Sequence, residues 1–168
     1  MKDKKTNVAV TSRSFSKNPI LRNELLKKYE NVKFNDSGLQ LQGDSLVDFL
    51  KECHKAIIAL EVINDDILRR LPRLKVISKY GVGLDMIDIQ AMNKYSVKLG
   101  WTGGVNRRSV SELVISLSIS LLRHISSSHR EVLSGVWRQH VGSQLSGKTV
   151  GIIGCGHVGK DLVRMLKP

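Results

Sequence analysis

The sequence predicts an α/β protein built on an open parallel sheet. Short apolar runs rich in β-branched residues alternate with longer stretches that mix apolar and charged positions, as strands and amphipathic helices do. Two glycine pairs follow directly after such runs, at Gly81–Gly83 and at Gly154–Gly156. Ligands of open α/β sheets bind beyond the carboxyl ends of the strands, so both glycine pairs are candidate binding loops.

In the first hundred residues, five apolar runs read as strands. The helices between them carry recognisable start and stop signals: Pro19 suits a first turn, and Asp44 or Ser45 is a candidate cap. Asn64 precedes a segment with acids early and arginines late, and Pro72 ends that segment. We predict strands at 7–11, 31–35, 56–59, 75–80 and 97–99, helices at 19–29, 45–50, 65–71 and 87–95, and a polar loop at 12–16.

The segment 100–104 is glycine-rich and is the candidate hinge between two units, 1–101 and 102–168. A helix over 107–123 follows, with Asn106 or Ser109 as its cap. Every position from 113 to 122 is apolar or serine, so this helix needs partners on more than one side. We predict a polar, serine-rich stretch over 123–130 and a short helix or turn over 131–135.

The third region of interest is the stretch 149–160. It reads as a buried strand, a glycine turn and a helix whose apolar positions begin at Val158. Gly154 allows a tight turn, Gly156 lets a pyrophosphate approach the backbone, and Gly159 lets the helix pack close to the strand. The alternative is a glycine-rich turn that closes an ordinary βα unit. The acidic residue expected ~20 positions later, which receives the ribose hydroxyls, would lie beyond residue 168, so the sequence does not choose between NAD and NADP.

Composition restricts the classes of function. The chain has 168 residues and 41% hydrophobic residues, with no signal-like start and no membrane-spanning run, so we expect a soluble, cytoplasmic protein. Its formal charge is +12, but the basic residues are scattered without interleaved aromatic residues, which favours a solvated surface over nucleic-acid binding. Neither the two cysteines nor the five histidines have metal-ligand spacing, so no metal site is expected.

Gly81-Val82-Gly83 is open to two interpretations on its own: a nest of backbone N–H groups for a carboxylate or phosphate, or a plain tight turn. His157 similarly either lies near phosphates or faces solvent. Three segments in order change this picture: SKYGVGLDMID at 78–88, GVNRRSVSEL at 104–113 and GKTVGIIGCGHVG at 147–159. Together they resemble the D-isomer-specific 2-hydroxyacid dehydrogenases, most closely the phosphoglycerate dehydrogenase group, from about residue 7 onward.

The resemblance implies a flavodoxin-like substrate domain, a crossover helix, and the first βα unit of a Rossmann domain. It implies hydride transfer between a small 2-hydroxy or 2-oxo acid and NAD, and a homodimer formed through helix 107–123. The implied substrate-binding residues are Tyr80, Gly81, Val82 and Gly83. The implied cofactor-binding residues are Val82, Gly154, Gly156, His157, Val158 and Gly159.

Some positions depart from the family pattern. Met86 stands where the family usually has Asn, and Trp101-Thr102-Gly103 stands where it has Asn-Thr-Pro. The family's catalytic arginine, glutamate and histidine come from segments after position 168, so we expect a truncated portion that is inactive by itself. The sequence does not choose among substrates, because Arg13, Lys79 and Arg107 each either reach a phosphate or face water. A corepressor-like NAD-sensing protein and a short regulatory subunit are the alternative hypotheses.

Overall fold

The structure is a computed structural model that describes residues 2–167. The chain divides into two compact units, Met1–Thr102 and Gly103–Pro168. The strands are β1 (Val8–Val10), β2 (Val32–Phe34), β3 (Lys55–Ile58), β4 (Val76–Lys79) and β5 (Lys98–Gly100). The helices are α1 (Arg13–Lys17), α2 (Pro19–Lys28), α3 (Gly43–Leu50), α4 (Asp65–Arg69), α5 (Ile89–Lys94), α6 (Arg107–Leu122), α7 (Ile125–Leu133) and α8 (His157–Leu166).

The first unit is a five-stranded parallel sheet in the order β2-β1-β3-β4-β5. This is the flavodoxin-like order, and it confirms the predicted fold class. The strand order reverses beside β1, where the carboxyl ends of β1 and β3 lie next to each other. The sequence therefore places the loops after β1, β3 and β4 at one edge of the sheet, where such folds bind ligands.

The core of the first unit is packed by branched aliphatic side chains from the central strands and the helices beside them. Leu46 and Leu50 of α3, Ile58 of β3 and Ile77 of β4 are fully buried. Leu46 and Leu50 are four positions apart, so both face the same side of α3. In the strands, alternate residues face the same side of the sheet. The resulting rigid sheet holds the loops at its carboxyl edge in fixed positions.

Helix starts in the first unit are largely those predicted. The Asn18 and Asn64 side chains accept hydrogen bonds from the first turns of α2 and α4. Two predictions were wrong. The cap of α3 is Gln42, whose N–H donates to Ser45 Oγ at 3.0 Å, so Ser45 lies inside the helix. Residues 13–17 form α1 instead of a loop, because Ser12 Oγ accepts from the Phe15 N–H and the Phe15 ring is buried.

In the second unit α8 packs against α6. The polar stretch and the short helix predicted over 123–135 are largely one helix, α7. The predicted buried strand at 149–153 is not formed: Val150 is 43% exposed and Ile153 is fully exposed. A strand needs a neighbouring strand for its N–H and C=O groups, and residues 103–167 offer none to this segment. The glycine turn is therefore held in place by α8, which follows it in the chain and packs against α6.

No helix within residues 2–167 is both long enough and apolar enough to cross a membrane.

Candidate functional site

The loop Tyr80–Gly83 leaves the sheet at the carboxyl end of β4, which pairs with β3 on one side and β5 on the other. Gly81 has a φ of +131°, a conformation that side-chain-bearing residues rarely adopt. The N–H groups of Gly81, Val82 and Gly83 donate no hydrogen bond within the described part of the chain. The loop thus presents unpaired backbone donors at the ligand edge, which can receive a carboxylate.

Two contacts fix this loop on its own unit. The Tyr80 N–H donates to the Ile58 carbonyl at 2.7 Å, which continues the pairing of β4 with β3. The Trp101 indole N–H donates to the Val82 carbonyl at 3.0 Å. Trp101 is a departure from the family pattern, and sequence reasoning did not connect it with the loop.

Replacing Trp101 with phenylalanine is expected to loosen the loop, because an aromatic ring stays at this position but the indole N–H donor and the five-membered ring that carries it are lost. A hydrogen bond of this kind contributes about 0.5–1.5 kcal/mol. Backbone order parameters of Val82 and Gly83, measured by ¹⁵N relaxation, should fall from about 0.85 toward about 0.6. Trp137→Phe is the matched control, since Trp137 is 91% exposed. Equal order parameters in both variants would contradict this role.

Lys79 lies directly before the loop and points back into the unit. Its ammonium group donates to the Ala59 carbonyl and lies 3.2 Å from the Met86 sulfur. Burial lowers the pKa of Lys79, partly opposed by the charges of Glu61 and Asp85. Lys79 therefore joins the end of β4 to the residue after β3, directly before the loop.

The glycine turn of the second unit has the geometry that its spacing predicts. Gly154 has a φ of +87°. A Cβ added at Gly159 would lie 2.5 Å from the Gly154 carbonyl oxygen, so only glycine permits this close approach. A Cβ added at Gly156 would meet nothing within 4 Å. The turn is tight between Gly154 and Gly159, where the backbone approaches itself, and open at Gly156, where a ligand would approach.

Helix α8 begins at this turn with Gly156 as its N-cap and no side-chain capping bond. Its first N–H groups and its dipole therefore favour an anion at this end. His157 is exposed at the first position, and its ring lies against Gly104, where an added Cβ would lie 2.5 Å from Cγ. The open Gly156 face and the uncapped helix fit the pyrophosphate of a dinucleotide.

An ion pair between an exposed arginine and a buried carboxylate links α8 to α6. Arg108 donates to Asp161 Oδ1 at 3.1 Å, and the Ser111 hydroxyl donates to the Val158 carbonyl at 3.4 Å. Asp161 is 3% exposed, and its Oδ2 has no hydrogen-bond partner among residues 2–167. Sequence reasoning missed this pair. The available signal was an acid three residues after Val158, on the apolar side of the helix.

Two of the histidines make local hydrogen bonds. His54 Nδ1 accepts from the Asn7 N–H at 3.0 Å, and His140 bonds Glu131 at 2.6 Å. The hydrogen bond with His140 lowers the pKa of Glu131. Across residues 2–167 no group of three or more histidine, cysteine or acidic residues is placed to hold a metal ion.

Comparison with known proteins shows what the chain is similar to. The sequence model of the family described as "D-isomer specific 2-hydroxyacid dehydrogenase, catalytic domain" matches residues 8–161. A hydroxypyruvate reductase of Thermotoga maritima is 31% identical over 144 residues, which are 84% of this chain and 46% of the relative. A D-3-phosphoglycerate dehydrogenase of Bacillus subtilis is 34% identical over 104 residues, 61% of this chain and 20% of the relative.

Solved structures share the fold. An NAD+-bound 3-phosphoglycerate dehydrogenase of Entamoeba histolytica superposes with a TM-score of 0.69 at 24% identity, over 95% of this chain and 50% of its own. The D-lactate dehydrogenase of Escherichia coli gives 0.76 at 20% identity, over 98% of this chain and 52% of its own. The chain spans about half of each solved structure and less than half of each curated relative above.

Proposed function

Because the family model covers residues 8–161, the chain belongs to the D-isomer specific 2-hydroxyacid dehydrogenase family, and we propose that it supplies the substrate loop and part of the cofactor site of an NAD-dependent enzyme of this type. The observation that carries the proposal is the Tyr80–Gly83 loop, with unpaired N–H groups at the carboxyl end of β4. The proposed division is a substrate domain over 1–101 and a crossover helix with the start of a Rossmann domain over 102–168.

In this proposal the backbone N–H groups of Gly81, Val82 and Gly83 hold the carboxylate of a small 2-hydroxy or 2-oxo acid. The Gly81 conformation and the Trp101 bond keep those donors aimed before the substrate arrives, which lowers the entropic cost of binding. Tyr80 is 39% exposed and forms a wall beside them. Val82 is proposed to contact both the acid and the cofactor.

The residues proposed to hold the pyrophosphate of NAD or NADP are Gly154, Gly156, His157, Val158 and Gly159. Gly154 and Gly159 form the close crossing, and Gly156 leaves the approach open. The N–H groups of the first turn of α8 donate to the phosphate oxygens. When bound, the nicotinamide supplies or accepts the hydride at C2 of the acid.

Catalysis is proposed to need an arginine, a glutamate and a histidine, which the family resemblance implies. None of residues 1–168 corresponds to these three catalytic residues of the family. The experiment that tests this proposal follows NADH absorbance at 340 nm with hydroxypyruvate or 2-oxoglutarate as the substrate. The isolated chain should show no turnover, and a longer protein that continues this chain should oxidise NADH. Turnover by the isolated chain would contradict the proposed absence of the catalytic groups. NADH binding without turnover by the longer protein would favour the corepressor-like hypothesis.

We also propose a homodimer through the helix 107–123, and a cytoplasmic location. Leu113, Leu117 and Leu121 lie four residues apart on one face of α6 and are 57%, 54% and 77% exposed. Such a stripe is costly in water and is the kind of surface that obligate dimers bury.

Replacing Leu117 with glutamate is expected to weaken this dimer, because each copy would place a charge in the apolar contact. We expect the dissociation constant to rise by at least about tenfold, equivalent to 1.4 kcal/mol, in sedimentation equilibrium. Leu39→Glu is the control, since Leu39 is 67% exposed in the first unit. An unsubstituted chain that stays monomeric at high micromolar concentration would show that the stripe has another purpose.

A further inference from the structure

Five lysines gather at the amino edge of the sheet in the first unit, opposite the edge that carries the Tyr80–Gly83 loop. Three stand at or directly before the amino ends of β3, β4 and β5, one precedes β1, and one ends α2. All the strands are parallel, so their amino ends meet at the same edge. The lysines are at least 20 positions apart in the sequence, so the fold brings them together. This lysine row consists of Lys5, Lys28, Lys55, Lys75 and Lys98.

Main-chain hydrogen bonds tie the segments that carry the lysine row to one another. The His54 N–H donates to the Asn7 carbonyl at 2.8 Å, and the Lys75 N–H donates to the His54 carbonyl at 2.8 Å. The Lys98 N–H in turn donates to the Lys75 carbonyl at 2.8 Å. Neighbouring strands lie about 4.8 Å apart, so the row from Lys28 to Lys98 is about 20 Å long. The spacing of its members is therefore set by the sheet.

The lysine row carries positive charge that the acids of the first unit leave largely uncompensated. No carboxylate among residues 2–167 forms an ion pair with any of its five ammonium groups. Two acids close to the row are paired with other cations, Glu30 with Lys4 and Glu52 with Arg73. The Asp3 carboxylate accepts three hydrogen bonds from the turn that follows it. The row therefore attracts a polyanion.

The ammonium groups of the lysine row are accessible to such a partner. Four of the five residues are exposed, and Lys55 is half-buried. The Lys55 ammonium group donates to the Tyr29 hydroxyl at 3.1 Å and lies 4.9 Å from the centre of the Tyr29 ring. An ammonium group has three donors, so this contact leaves Lys55 able to bind a second acceptor.

Two classes of polyanion fit the lysine row poorly. Single-stranded nucleic acid binds through aromatic side chains on which its bases stack, and arginine is the preferred residue for its phosphates. The row contains only lysines, and the Tyr29 ring beside it is already in contact with Lys55. Membrane-surface binding combines basic residues with inserted apolar side chains. Within residues 2–102 no exposed large apolar side chain stands directly before a strand.

An extended acidic protein segment matches both the length and the chemistry of the row. Side chains on one face of an extended chain recur every ~6.6 Å, so three or four carboxylates span about 20 Å. A lysine ammonium group is a point charge on a flexible stem, which reaches a single carboxylate oxygen without the paired geometry that arginine requires. Charge complementarity and spacing therefore favour this class of partner over the other two.

We propose that the lysine row is the docking surface for an acidic, extended segment of a partner protein. The parallel strands separate this surface from the Tyr80–Gly83 loop, which lies at their carboxyl ends. A partner bound at the amino edge leaves that loop uncovered. The inference goes beyond the function proposed above and does not depend on it.

The test measures binding to the 168-residue chain at low salt. Fluorescence anisotropy follows a fluorescein-labelled peptide of about ten residues, alternating Glu and Ser, which is long enough to cover the row. A labelled oligouridine of the same length represents nucleic acid, and co-sedimentation with phosphatidylcholine vesicles that contain phosphatidylserine represents a membrane. The double variant Lys75→Gln with Lys98→Gln removes two charges from the row. Its control, Lys17→Gln with Lys148→Gln, removes two exposed charges elsewhere, and circular dichroism confirms that both are folded.

We expect the acidic peptide to bind more tightly than the oligouridine or the vesicles. Loss of Lys75 and Lys98 should raise the dissociation constant of the peptide about five- to tenfold, because two exposed ion pairs are lost. The control variant should raise it less than about twofold, since charges farther away than a Debye length are screened. Added salt should weaken binding of the peptide to the unsubstituted chain.

Other outcomes would overturn the inference. Undetectable binding of the acidic peptide would show that the row is a solvated surface. An equal loss of affinity in the two double variants would show that the peptide responds only to the net charge of the chain. Tighter binding of the oligouridine or of the vesicles, lost in the variant of Lys75 and Lys98, would assign the row to nucleic acid or to a membrane instead of a protein partner.

Discussion

Replacing Arg108 with alanine is expected to destabilise the second unit by about 2 kcal/mol, since it leaves the buried Asp161 carboxylate without its partner. Breaking a fully buried pair costs about 3–5 kcal/mol. We expect a smaller loss, about 2 kcal/mol, because the Arg108 side chain is 56% exposed. Among residues 2–167 the Asp161 Oδ2 atom has no hydrogen-bond partner, so the loss of Arg108 leaves both carboxylate oxygens without one. Chemical denaturation with amide exchange of α8 as a local readout measures the change.

A double variant separates the buried charge from the lost contacts of Arg108. Adding Asp161→Leu to Arg108→Ala should restore most of the stability, because an apolar side chain suits the buried face of α8 beside Leu162. Arg73→Ala is the matched control, as Arg73 and Glu52 form an ion pair that is exposed on both sides. We expect that control to change stability by less than about 1 kcal/mol. A loss that Asp161→Leu does not repair would show that Arg108 acts through packing.

Replacing Gly159 with alanine is expected to distort the glycine turn, because the new methyl group would lie 2.5 Å from the Gly154 carbonyl oxygen. Overpacking of this kind costs about 1–3 kcal/mol, which exceeds the ~1 kcal/mol that alanine gains over glycine inside a helix. Either the Gly154 peptide or the start of α8 must move. Amide exchange in the first turn of α8 should therefore accelerate.

Two other glycines make the test specific. Gly151→Ala places its methyl group in open space and should leave amide exchange unchanged. Gly156→Ala also meets nothing within 4 Å, so the turn should survive, but the methyl group occupies the face proposed for the pyrophosphate. In a longer protein that binds NAD, Gly156→Ala should weaken binding by at least about tenfold. Unchanged exchange in Gly159→Ala would show that the backbone can relax around the contact.

The parallel sheet could be predicted because its determinants are local. Apolar runs of strand length, Pro19, Asn64 and Pro72 each act within a few residues, and the structure confirms the elements that they delimit. Helix α1 was missed because five residues are too few to show a helical period. Its stability comes from the buried Phe15 ring, a tertiary contact that no local pattern shows.

For the glycine turn, the sequence predicted the local conformation but not the contacts with the rest of the second unit. Its conformation follows from the spacing of Gly154, Gly156 and Gly159, but the strand predicted before it is absent, because strand pairing depends on a neighbour that residues 103–167 do not provide. The ion pair of Arg108 with Asp161 was equally out of reach, since the two residues are 53 positions apart in the chain. The glycines of both loops were predicted from their spacing, the other site residues came from the family resemblance, and all of them stay a proposal.

The strand order of the first unit also has a consequence for how the protein is made. All strand pairs except β1 with β3 join consecutive strands, and the whole sheet comes from one uninterrupted stretch that ends near residue 100. Ribosomes add about 5–20 residues per second, whereas domains of this size and contact pattern fold within milliseconds to seconds. We therefore expect the first unit to fold during translation, with its ligand edge already assembled while the second unit is still being synthesised.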